Sequence, residues 1–103
     1  MKVVRSRDFT AERAWGALEV ARVEAITARL HWTDQGYPWH ANDGDELFVV
    51  LDGVVDMHVR RDGEESVITL HAGDLFFGEE GMEHSARPRG EARVLVVERE
   101  DSP

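Results

Sequence analysis

Cysteine is absent from all 103 residues, which excludes disulfide staples and thiolate metal sites. No apolar run approaches the length needed to span a bilayer, and the amino-terminal MKVVRSRDFTAERAW has no continuous apolar stretch of the signal-peptide kind. A cytoplasmic protein without a membrane partner is the expectation. Positive charge is scarce: 12 Lys and Arg stand against 21 Asp and Glu, and the net charge of -9 repels phosphate backbones, so nucleic acid is not expected as a partner. Also missing are a Gly-x-Ser-x-Gly elbow, a P-loop and a dinucleotide fingerprint, which sets aside nucleophilic hydrolysis and nucleotide binding. A sustained helical period is lacking too; only Phe9 to Trp15 suggests a single helical turn.

What the chain does contain is apolar material, 42% of its residues, with 32% charged, the balance of a soluble globular protein. Its length suits one domain over residues 1–103. The apolar residues fall in short runs that predict strands near Leu18 to Val23, Ala25 to Trp32, Glu46 to Leu51, Val54 to Arg60, Glu65 to His71, Asp74 to Phe77 and Ala92 to Arg99, with shorter pieces flanking His40 and His84. Asp43-Gly44, Asp52-Gly53 and Asp62-Gly63 punctuate them. The last two lie between strand-like segments, where both residue types tolerate positive φ, and each predicts a chain reversal. The acidic tail from Glu98 to Pro103 is expected to fray. The result is an all-β antiparallel sandwich or barrel.

Alternation along these runs assigns faces. Ile26, Ala28, Leu30 and Trp32 share one face, and Thr27, Arg29 and His31 share the other, which is expected to meet solvent. Val55, Met57 and Val59 point inward, leaving His58 on the outside. LFVVL and RVLVV are nearly continuous and read as strands covered on both faces. His31 and His71 read as surface residues.

Two segments carry chemistry. In YPWHANDGDELFVVLDG, His40 and Asn42 are two apart and so share a strand face, and Glu46 follows a tight turn that can swing its carboxylate back toward them. In GDLFFGEEGMEH, His84 follows a glycine-bounded turn. Two imidazoles and a carboxylate drawn from separate segments suit a borderline divalent ion. For Asn42 the alternative is a side chain that hydrogen-bonds the Asp43-Gly44 turn.

The spacing resembles the cupin superfamily. Its first motif, His-x-His, three or four residues, Glu, six residues and Gly, is matched over residues 37–53 by His40, Asn42, Glu46 and Gly53. Its second motif is matched over 73–88 by Gly73, Gly81 and His84. Asn42 stands where the family usually has a second histidine, Glu79 where it has proline, and Pro88 where it has asparagine. The resemblance implies an antiparallel jelly-roll barrel, a double-stranded β-helix, with a divalent iron, manganese, nickel or zinc ion on His40, Glu46 and His84, and Asn42 as a weaker fourth ligand. It also implies a homodimer.

Tyr37, Trp39, Phe48, Phe77 and Met82, with Glu79 at the rim, are the candidates for lining a pocket that takes a small organic ligand or substrate. Three functions fit: a metal-dependent enzyme of the oxygenase kind, a non-catalytic metal-free binding or sensory module, and an isomerase-like cupin using a histidine as base.

Overall fold

The backbone is shaped first by its turns. At Asp62 and Gly63 both φ angles are positive, 53° and 79°, so a two-residue type I′ turn joins Val54–Arg61 to Glu64–His71 with Arg61 opposite Glu64. In the computed structural model, which describes residues 1–101, nine strands follow one another: β1 Gly16–Val23, β2 Ile26–Thr33, β3 His40–Ala41, β4 Glu46–Asp52, β5 Val54–Arg61, β6 Glu64–His71, β7 Leu75–Gly78, β8 Glu83–Pro88 and β9 Ala92–Arg99. All of their pairings are antiparallel. They form a five-stranded sheet in the order β1-β2-β9-β4-β7 and a four-stranded sheet in the order β3-β8-β5-β6, a jelly-roll arrangement.

Asp52-Gly53 does something other than close a hairpin. β4 already has β9 and β7 on its two edges, so β5 has no edge left to pair with and the chain crosses into the opposite sheet. Gly53 makes that corner at φ 85°, and a Cβ on it would lie 2.4 Å from the Glu91 carbonyl oxygen. Only glycine meets both demands.

Phe48 and Val50 on β4, Val94 and Val96 on β9, Val55, Met57 and Val59 on β5, Leu70 and Ala86 fill the space between the sheets. The inward assignment of Val55, Met57 and Val59 holds. β4 and β9 bury one face completely, but on the other Leu47, Val49, Leu95 and Val97 are only half-buried and Leu51 is exposed, so the expectation of cover on both faces is corrected.

β2 is turned inside out relative to its sequence reading. Thr27 is 0% exposed, Arg29 and His31 face the space between the sheets, and Ile26 is 43% exposed. The register explains the inversion: Thr27, Arg29 and His31 stand opposite Glu98, Val96 and Val94, whose side chains face the interior. A polar face turned inward is what a polar cavity requires. Leu30, on the outer face, is nevertheless buried.

Residues 9–15 form no helical turn; the 3₁₀ turn lies earlier, at Ser6–Asp8. The Arg93 guanidinium donates from Nε to the Phe9 carbonyl at 2.7 Å and holds this segment against the sheet. Glu98 and Arg99, expected to fray, are the end of β9, and residues 102 and 103 lie outside the described residues. Among the described residues no helix is long and apolar enough to cross a membrane.

Candidate metal and ligand site

Two pairs of facing residues build the site, one on each sheet. In an antiparallel ladder directly opposed side chains project to the same side with Cβ atoms about 5 Å apart. β3 and β8 place His40 opposite His84, and β4 and β9 place Glu46 opposite Glu98. All four line a cavity of about 140 Å³ between the sheets, close to the roughly 150 Å³ that accommodates benzene in an engineered core.

The imidazoles meet edge to face, Nε2 to Nε2, at 3.0 Å. His40 donates its Nδ1 proton to the Pro38 carbonyl at 3.1 Å, which in the neutral ring leaves Nε2 to accept from His84. His84 is 2% exposed; burial first, and then the charge of His40, lowers its pKa to about 4. Its Nδ1 is buried without a partner. The pair also meets a metal criterion: two nitrogen ligands at about 2.1 Å from one ion and at right angles to each other are about 3.0 Å apart.

The carboxyl pair obeys different rules. Glu46 and Glu98 are hydrogen-bonded to each other, which requires a proton between them. Burial, then the bond to Glu46 and its negative charge, raises Glu98 to about 7, while burial raises Glu46 and the bond from Glu98 partly offsets the rise. Arg29 Nη1 lies 3.8 Å from Glu98 Oε1, beyond hydrogen-bond distance. No three His, Asp or Glu side chains among the described residues form a group placed to hold a metal ion.

Aromatic rings close the cavity. Trp15 stacks edge-on against Tyr37 at 5.4 Å, and Tyr37 against His40 at 4.9 Å. The Trp15 carbonyl accepts from His31 Nδ1 at 3.0 Å, and burial lowers the pKa of His31. Trp15 sits at φ 64°, a conformation costly for a bulky side chain, and its indole nitrogen is buried without a partner.

Of the residues chosen from sequence, His40, Glu46, His84, Tyr37 and Phe48 line this cavity. Asn42 does not. Its amide donates to the Glu79 carbonyl at 3.4 Å and packs on Gly78, where a Cβ would lie 2.6 Å from Nδ2; its backbone bonds Met82 and Gly81. Its partner is the 79–82 turn rather than Asp43-Gly44. Trp39 lies outside the barrel, with the Arg60 guanidinium over its ring at 4.1 Å and His58 beside it. Phe77 is 58% exposed on the outer face opposite Leu47, Glu79 is exposed in its turn, and Met82 packs on the core beside Gly78.

Arg29, His31, Trp15 and Glu98 line the cavity without having been anticipated. A signal for Glu98 was present: it continues the alternation of Val94 and Val96, which are both buried.

A two-sheet jelly roll with a polar-lipped cavity between its sheets defines the class. A family model described as "Cupin domain" matches residues 31–98, and the chain belongs to that family. Comparison with curated proteins gives no match. Among solved structures, a cupin-2 domain containing protein from Shewanella frigidimarina is 25% identical at a TM-score of 0.80, with 94% of each chain covered. Hydroquinone 1,2-dioxygenase from Sphingomonas sp. TTNP3, solved with 4-hydroxybenzoate bound, is 20% identical at 0.79, covering 88% of this chain and 29% of that one. Hydroquinone 1,2-dioxygenase PnpCD, solved with Fe3+, is 20% identical at 0.78, covering 86% and 29%.

Proposed function

We propose that this cupin holds a divalent metal ion on His40, His84 and Glu46 and acts on a small organic molecule in the adjoining cavity. The observation that carries the reading is the pair of Nε2 atoms 3.0 Å apart in a cavity that also contains a carboxylate. Two imidazoles and one carboxylate leave coordination positions open, so the ion would supply Lewis acidity or a site for dioxygen, as iron(II), manganese, nickel and zinc allow to different degrees. The Pro38 carbonyl orients His40, one of the usual kinds of support for a ligating imidazole. Trp15, Tyr37 and Phe48 give a small planar molecule apolar walls, and Arg29 gives an anionic group a partner. The two dioxygenase structures, one with iron and one with a small aromatic acid, support this choice of ligand class. Metal analysis of untagged protein, with thermal shift against the four ions, tests it; no binding after reconstitution would end it.

One observation favours a second reading, a metal-free binding module: the paired imidazoles and paired carboxyls already satisfy one another. A melting shift from small carboxylates but from no metal would select it.

The partner on the outer sheet face is proposed to be a second copy. Leu18, Leu30, Leu95, Val49 and Leu75 form one row across all five strands, and Leu75 at its end is 65% exposed. A monomer mass by light scattering at micromolar concentration would overturn this.

A further inference from the structure

Arg29 and His31 reach the cavity because β2 turns its polar face inward, and neither belongs to the two motif segments. We infer that this wall selects the ligand: a small aromatic monocarboxylate, its carboxylate held by the Arg29 guanidinium and its single ring lying against Trp15, Tyr37 and Phe48. The inference rests on the ligand half of the reading above and needs no metal.

Four observations carry it. Arg29 is the one Lys or Arg among the described residues that line the cavity, and its nearest acid, Glu98, stands 3.8 Å away, an ion pair without a hydrogen bond. Glu98 is bonded to Glu46 instead, so it does not fill the planar donor fork of Arg29, and a carboxylate is the group whose two oxygens match that fork. The second observation is depth. Arg29 and Tyr37, with the Arg29 side chain 30% exposed and Tyr37 38%, mark the mouth, whereas Phe48, Met57 and Ala86 are buried at the floor, so a ligand enters ring first and leaves its charge at Arg29. The third is size: about 140 Å³ holds one six-membered ring and no second. The fourth is support. His31 Nδ1 donates to the Trp15 carbonyl at 3.0 Å, so the strand that supplies the cation also fixes the aromatic wall before a ligand arrives. A single cation beside two glutamates, in a chain of net charge -9, suits one negative charge rather than the two of a phosphate.

The test is calorimetric titration of the full chain, freed of metal with a chelator, against benzoate, its neutral analogue benzamide, the cation benzylamine and the two-ring 2-naphthoate. Wild type is compared with Arg29→Met, which keeps an apolar stem of similar length, and with Arg60→Met on the outer face of the other sheet, each checked for a cooperative melt. Benzoate should bind wild type and Arg60→Met alike. Benzamide should bind wild type at least about tenfold more weakly, the loss expected when a charge-assisted pair is removed, and 2-naphthoate should not bind. In Arg29→Met benzoate should weaken by the same factor, so that it no longer differs from benzamide. Equal binding of benzoate and benzamide by wild type, a preference for benzylamine, or full benzoate affinity in a folded Arg29→Met overturns the inference; if that variant does not fold, the wild-type comparison decides. Binding of 2-naphthoate as tight as benzoate overturns the single-ring limit. Titration with Mn2+ and Zn2+ separates the two readings: metal uptake without benzoate binding overturns this inference and leaves the metal site standing, and benzoate binding without metal uptake does the reverse.

Discussion

The imidazole pair and the carboxyl pair are produced by the same device, opposed residues in an antiparallel ladder, and they face each other across one cavity, yet burial acts on them in opposite senses. Burial disfavours charge. It therefore lowers the pKa of a histidine and raises that of a glutamate. His84 falls to about 4 and Glu98 rises to about 7, so at neutral pH His84 is neutral while the glutamates share a proton near its point of release. On the proposed metal reading the imidazoles would already present lone pairs, whereas Glu46 would have to give up its share of the proton, so the glutamate side would be the one that ties metal affinity to pH.

Experiments that break this pairing follow in order of expected effect. The largest is His84→Ala, which removes one imidazole: the metal-dependent gain in stability, about 2.7 kcal/mol at a hundredfold excess over Kd, should vanish in thermal melts. Next, Glu98→Gln should change the pH dependence of the metal-free protein. The folded chain keeps a proton on Glu98 between its ordinary 4.5 and about 7, where the unfolded chain has released it, so the contribution of Glu98 to stability falls as pH rises through that window. The substitution removes this slope, and from pH 5 to pH 8 the variant should gain about 1–2 kcal/mol relative to wild type, allowing for screening by solvent.

His84→Gln should remove the opposite slope. Between 6.5 and about 4 the unfolded chain takes up a proton that the folded His84 refuses, so stability is lost as pH falls through that window. The two slopes oppose each other from about pH 4.5 to 6.5, where wild type should be nearly flat and each single variant should tilt in its own direction. Melts in a pH series check both signs. A smaller effect is expected from Asn42→Ala, which removes a buried hydrogen bond to Glu79: about 1–2 kcal/mol of stability lost in chemical denaturation.

Much of the barrel was legible because strand period and turn chemistry are local. Asp62-Gly63 named its own hairpin, and the predicted strands match the observed ones to within about two residues at their ends. The halves of the site were legible to different degrees. His40, Glu46 and His84 sit in motif spacing and line the cavity. Arg29 and His31 alternate just as legibly, but alternation says only that two faces differ, and the polar face of β2 was assigned to solvent when the interior needed it. Asn42 shows the reverse: its spacing places it on the strand face of a ligand, but the bulk of a side chain on Gly78 is absent and its amide turns into the space left there.

By itself, then, the amino-acid order determined the strand lengths, the Asp62-Gly63 hairpin and the inward Val55, Met57 and Val59, because each depends on neighbours a few positions away. Only the tertiary structure decided which face of β2 is inside, that Asp52-Gly53 crosses between sheets, and that Glu98 meets Glu46. Those outcomes depend on which strand edges remain unpaired after the others have closed, and residues 46 and 98 become neighbours only when β9 slots between β2 and β4.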